Sequence, residues 1–144
     1  MALLRYCCLI LCCCWLMACQ SAPATVPLEF APEGDIVQRA LTYQLTQSQT
    51  RLSDQLQTSP PALAISNIQV KQIEPIVVAD LPAYHLTGQY NVTLTLPRQT
   101  VTQKQNPFEI YLQRQSEGKS WRLLQREVSN DQGLQWKSYL IETD

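Results

Sequence analysis

The chain has 144 residues with 11 Lys and Arg against 12 Asp and Glu. That balance lacks the strongly basic character of most nucleic-acid-binding domains, so nucleic acid is not an expected partner. The length suits a single core of ordinary domain size.

The chain opens on what reads as an address label. Arg5 is the one basic residue ahead of an apolar run over residues 6–18. That run is shorter than the ~20 residues a membrane-spanning helix needs and has the form of a secretory leader. It ends in Leu16-Met17-Ala18-Cys19: an apolar residue, a spacer, a small residue and a cysteine. This order resembles the lipobox of bacterial lipoprotein precursors. The resemblance implies cleavage before Cys19, a diacylglyceryl thioether on its sulfur and acylation of the new amino terminus, with residues 1–18 as signal peptide. Two or three acyl chains hold a protein stably on a bilayer, at about 0.8 kcal/mol per buried methylene. The competing readings are a secreted protein cut at another site and a palmitoylated protein that keeps its leader. Gln20 in place of an aspartate resembles the pattern of lipoproteins not retained at the inner membrane of double-membraned bacteria.

Counting cysteines sharpens this picture. Cys7, Cys8, Cys12, Cys13 and Cys14 fall inside the leader, where they serve as small apolar residues. Cleavage leaves only Cys19, which the lipid occupies, so the mature chain has no cysteine for a disulfide, a thiol nucleophile or a thiolate metal site. Losing Arg5 brings the net charge from −1 to −2.

Residues 19–33 carry three prolines and few charges, which suits an extended tether of about 3.1 Å per residue, or up to ~40 Å in all. Leu28 and Phe30 either dock on the domain or stay mobile with the linker. The domain proper is expected over residues 34–144. Asp35 is an N-cap candidate, with Gln38 three residues on as in a capping box. Val37, Leu41, Leu45, Leu52 and Leu56 then recur at helical spacing. Ser59-Pro60-Pro61 ends the helix near Thr58.

Strands follow. Leu63 and Ile65 alternate, Ile68 and Val70 shift phase, and Ile73 shifts back, which predicts either one long strand with two bulges or two shorter strands. Asp80-Leu81-Pro82 is a turn candidate. The clearest strand has Tyr84, Leu86, Gly88, Tyr90, Val92, Leu94 and Leu96 on one face and polar residues on the other. Pro97 closes it, residues 99–106 read as polar loop, and Phe108, Ile110 and Leu112 alternate again. A turn at residues 116–119, a strand over 121–128, a turn at 130–133 and a strand over 134–141 complete the chain.

The expected fold is therefore α+β: one long N-terminal amphipathic helix packed on a bent antiparallel sheet of four to five strands. The topology resembles the cystatin and nuclear-transport-factor-like rolls, folds that host unrelated functions. Leu96-Pro97-Arg98, Asn106-Pro107-Phe108, Tyr111-Leu112-Gln113-Arg114-Gln115 and Trp121-Arg122-Leu123-Leu124 resemble a family of small uncharacterised lipoproteins in cyanobacteria. That resemblance spans most of the mature chain and implies no activity.

Residues for catalysis are few. His85 is the only histidine, and no metal-ligand spacing accompanies it. Asp80 either orients that imidazole or shapes the turn. Glu109 and Glu127 lie on separate strands, and carboxylate pairs act at a separation that a sequence does not give. No serine lies in a Gly-x-Ser-x-Gly setting. No catalytic residue, cofactor or metal is assigned.

Binding has better support. With the helix on the face of Phe108, Ile110, Leu112, Trp121, Leu123, Leu134, Trp136 and Leu140, the other face presents Tyr111, Arg122, Leu124, Arg126, Lys137 and Tyr139. Aromatic residues and arginines are enriched at interface hot spots. The expected function is a membrane-anchored extracytoplasmic binding or assembly module. Its partners are the membrane, through lipid on Cys19, and, on this face, an acidic protein surface, a peptide or lipid headgroups. The alternatives are a solvated face whose arginine stems cover apolar atoms, an envelope hydrolase using His85, and a structural spacer without a ligand.

Overall fold

A computed structural model describes residues 26–129 and 133–142. Cys19 and the rest of the predicted leader lie outside the described residues. A short 3-10 turn at Leu28–Phe30 leads into helix α1 (Gly34–Leu56), then strands β1 (Ala62–Val78), β2 (Leu81–Thr95), β3 (Thr100–Arg114), β4 (Trp121–Ser129) and β5 (Gly133–Ile141). The five strands pair in chain order, all antiparallel, and the sheet is not closed. No helix among the described residues is long and apolar enough to cross a membrane.

The helix is not the first element. The segment expected to be the end of a tether is instead part of the folded body from Val26 onward. Val26 and Ala31 pack against the core, the Tyr84 hydroxyl donates to the Pro27 carbonyl at 2.7 Å, and Phe30 lies beneath the Arg114 guanidinium, 4.7 Å from its ring centroid. Helix α1 starts one residue before the predicted cap. Glu33 is the N-cap and makes no side-chain capping bond, while Asp35 sits in the first turn, where its charge complements the helix dipole. The helix closes with Gln57 in the left-handed region and the Thr58 N–H donating to the Ser53 carbonyl, a glutamine serving where glycine is usual.

Ile36, Val37, Ala40 and Leu41 bury the first half of α1 against Tyr84, Leu86, Phe108, Ile110, Leu112, Trp121, Leu123 and Ile141. Further along, the covered line advances in steps of four through Leu45 and Gln49 to buried Ser53, and Leu52 and Leu56 emerge exposed. Such a drift is expected where a straight helix crosses a twisted sheet.

Strand β1 is one long strand whose pairing with β2 shifts between Ser66 and Gln69 and again between Val70 and Gln72. These are the two bulges that the phase changes at Ile68 and Ile73 signal. With Lys71 and Pro75, they make this free edge a poor template for a further strand. The predicted polar loop over 99–106 is instead the first half of β3. It pairs with β2 from Thr100 to Asn106 around a bulge where Gln105 has φ +56. Its side chains are mostly solvated on both faces, so no apolar alternation marks it.

Candidate functional site

In an antiparallel sheet, side chains directly opposite each other share a face. One row runs across all five strands on the face away from α1: Glu74, His85, Tyr111, Leu124 and Ser138. Glu109 and the facing pair Arg126 and Trp136 stand one step further along. Together they form a cluster with defined geometry.

The His85 ring stacks on Tyr111, with centroids 4.5 Å apart and planes 8° from parallel. Its Nδ1 is 3.1 Å from Glu74 Oε2 and its Nε2 is 3.0 Å from Glu109 Oε1. Carboxylates only accept, so both contacts are satisfied as hydrogen bonds when the ring donates from both nitrogens. The Tyr111 hydroxyl donates to the same Glu109 oxygen at 2.7 Å. That bond chiefly holds the Glu109 carboxyl below its ordinary range, helped by the positive charge of His85 and Arg126 and opposed by desolvation. Desolvation pushes the Tyr111 phenol up, and the bond to Glu109 adds to it.

Next to this network, the Arg126 guanidinium lies 5.0 Å from the Tyr111 ring centroid and 4.9 Å from that of Trp136. The two rings meet edge to face at 5.0 Å. Two aromatic faces therefore hold one guanidinium in place by cation–π attraction. Arg126 pairs with no carboxylate among the described residues. Exposed apolar residues continue the face outward: Trp136 is 38 % exposed, Leu134 67 % and Val128 79 %.

The six residues expected to form one face do not do so. Tyr111, Arg122, Leu124 and Arg126 share the outer face, but Leu124 is only 3 % exposed and Arg122 bonds Ser138. Lys137 and Tyr139 stand on the helix side, because they face Gln125 and Leu123 across the β4–β5 hairpin. There Lys137 pairs with Glu127 at 2.6 Å, a contact that pushes its ammonium pKa up, and Tyr139 packs on Tyr43. Leu134, Trp136 and Leu140, expected against the helix, are the residues turned outward. The misassigned side of β5 follows from treating its apolar phase as the buried one, whereas Ile141 and Tyr139 of the other phase meet the core.

Other expectations sort in the same way. Asp80 has φ +61 beside Ala79 at +50; it shapes the tight β1–β2 turn, while Glu74, which the sequence reading passed over, meets His85. Glu109 and Glu127 are on opposite faces and form no pair. No serine or threonine hydroxyl is bonded to His85 among the described residues. The two carboxylates sit at opposite ring nitrogens, and no group of three His, Cys, Asp or Glu among the described residues is placed to hold a metal ion.

Glu109 gives this network a pH signature. A carboxyl whose folded pKa is depressed contributes stability above the unfolded carboxylate range near pH 4.3, and that contribution disappears as pH falls through the folded value. The wild-type advantage over Glu109→Gln in urea midpoint is therefore expected at pH 7 and should shrink between about pH 5 and pH 3. With 60 % of the side chain exposed, the advantage is expected to be well under 1 kcal/mol. A gap between the two proteins that is constant across this range contradicts the assignment.

No protein-family model, no curated protein and no solved structure matches this chain.

Proposed function

We propose that this chain is an extracytoplasmic lipoprotein, held on its membrane through lipid on Cys19, that works as a small binding or assembly module. The observation that carries the binding half is the Arg126 guanidinium fixed between Tyr111 and Trp136 without a carboxylate partner, beside an exposed apolar stretch. Arginine and tryptophan in such a setting are typical anchors of an interface. A guanidinium already immobilised loses less conformational freedom on binding than a free one. The lipobox resemblance carries the anchoring half. With the chain docked from Val26 onward, residues 19–25 extend at most ~25 Å, so the domain is held close to its bilayer. The order of one helix and then a strand meander supports the likeness to cystatin-like and nuclear-transport-factor-like rolls, whose activities do not transfer with topology.

Mass spectrometry of the protein purified from its native membrane tests the anchor. A diacylated or triacylated Cys19 at the amino terminus is expected, and an unmodified thiol or a retained leader overturns it. Crosslinking in the same membrane tests the face. A specific crosslinked partner is expected with the wild type and lost in Arg126→Glu, with circular dichroism confirming that the variant is folded at the assay temperature. Undiminished crosslinking in that variant reduces the face to a solvated surface.

A further inference from the structure

β3 and β4 are paired only from Tyr111 to Arg114, opposite Leu124 to Trp121. Beyond Leu124 the strands part, and β4 continues with β5 alone. A cleft of about 470 Å³ opens in the fork, bounded on its third side by α1. Its lining has three kinds of group. Ile110, Leu123 and Leu124 give it an apolar floor, and Arg51 from α1 and Arg126 from β4 bring positive charge. Glu109 and Ile110 on one wall and Gln125 and Arg126 on the other have backbone edges with no strand partner across the fork.

Both guanidinium groups lack a carboxylate partner among the described residues. Glu109, the one carboxylate in the lining, is committed to Tyr111 and His85. We infer that this cleft binds a short extended peptide segment bearing carboxylate side chains, supplied by a partner protein. The chemistry selects a peptide because it alone matches all three kinds of group. Its side-chain carboxylates meet planar guanidinium forks, its backbone meets open strand edges, and its apolar side chains meet the floor. A free phosphate uses only the first of these.

The segment it takes is short. Pro107 has no N–H to give, and the bulge at Gln105 twists β3 away, so pairing along the whole of β3 is blocked. Position also disfavours lipid headgroups as the occupant. The chain enters the domain at the Arg114 and Trp121 end, where Pro27 and Phe30 dock. Arg126 is five residues further along β4, roughly 17 Å away. The inference rests on the binding-module reading but not on the lipid anchor.

Isothermal titration of the full chain in detergent micelles tests it, with a capped peptide that alternates pairs of glutamates with pairs of valines and so, when extended, carries carboxylates on both faces, toward Arg51 and toward Arg126. Saturable binding is expected, weakened at least about tenfold when glutamine replaces glutamate in the peptide. A similar loss is expected in Arg51→Gln and in Arg126→Gln, each removing a charge-assisted contact. Absence of binding overturns the inference, as does binding unchanged in both variants. So does equal affinity for inorganic phosphate, or binding to anionic phospholipid vesicles instead of the peptide. If the peptide fails while Arg126-dependent crosslinking in the membrane persists, the ligand class is wrong and the binding module stands. If both fail, the module falls too.

Discussion

Replacing Gly88 with alanine is expected to destabilise the domain by about 3 kcal/mol or more, at the upper end of what overpacking costs. An added Cβ falls 2.2 Å from the Gln69 carbonyl oxygen and 2.7 Å from two carbons of the Phe108 ring. Both positions are far inside van der Waals contact. The two neighbours differ in how they can yield. The Phe108 ring is a side chain that can rotate into a poorer packing, whereas the Gln69 carbonyl belongs to the bulged stretch of β1 and moves only with its strand. Trimming Phe108 to leucine is therefore expected to recover part of the loss and not the whole of it, a non-additivity that a double-mutant cycle reads directly. Urea denaturation of the four proteins provides the measurement. A Gly88→Ala protein within 0.5 kcal/mol of wild type, the ordinary range for a surface change, contradicts this account of the β1 bulge. The same crowding explains why a glycine stands in the middle of the best strand in the protein, where it would otherwise weaken the sheet.

Gly88 also shows which features were legible from residues alone. β2 is legible as a strand because one face is buried and the other polar along its length, so the period of two is unbroken. The bulges in β1 were legible for a related reason: an inserted residue displaces the apolar phase, and Ile68 and Ile73 record the displacement. The first half of β3 is not legible in the same way, because Thr100 to Asn106 are held by backbone pairing with β2, with solvent on both faces. Backbone hydrogen bonds leave no mark in side-chain periodicity.

Trp136 and Leu140 follow an apolar alternation that looks like core, yet Ile141 and Tyr139 take the inside positions. Which phase of β5 is buried depends on its register with β4, and register belongs to the hairpin as a whole. His85 was recognisable as a lone histidine on a polar face, but its partner Glu74 lies eleven residues back on the neighbouring strand. The unbroken register of the β1–β2 hairpin, from Val78 opposite Leu81 back to Glu74 opposite His85, places that carboxylate opposite the ring, and both bulges lie farther from the turn. The seating of Arg126 between two rings is likewise a product of topology, since its two aromatic neighbours come from β3 and β5.

Tyr84 is the position where folding of the domain and docking of the incoming segment can be separated by experiment. Its ring is fully buried, packs against Trp121 at 5.9 Å between centroids, and carries a hydroxyl bonded to the Pro27 carbonyl. Burial pushes its phenol pKa up, with Arg114 acting in the opposite direction, so the group donates as a neutral hydroxyl throughout the physiological range. Tyr84→Ala removes a large core side chain and is expected to cost about 3–5 kcal/mol. Tyr84→Phe keeps the ring and removes only the donor, so a global loss near 1 kcal/mol is expected. The two substitutions should part company in amide hydrogen exchange. In Tyr84→Phe, faster exchange is expected at Phe30 and Ala31, whose N–H groups close the 3-10 turn, while β2 and β3 keep their protection. In Tyr84→Ala, protection should fall across the sheet as well, because the whole core is weakened. If Tyr84→Phe leaves exchange at Phe30 and Ala31 unchanged, the Pro27 bond is not what fastens that segment, and packing of Val26 and Ala31 together with the Arg114–Phe30 contact must hold it. For the proposed lipid anchor the outcome sets its reach, because releasing residues 26–33 would lengthen the tether by about 28 Å.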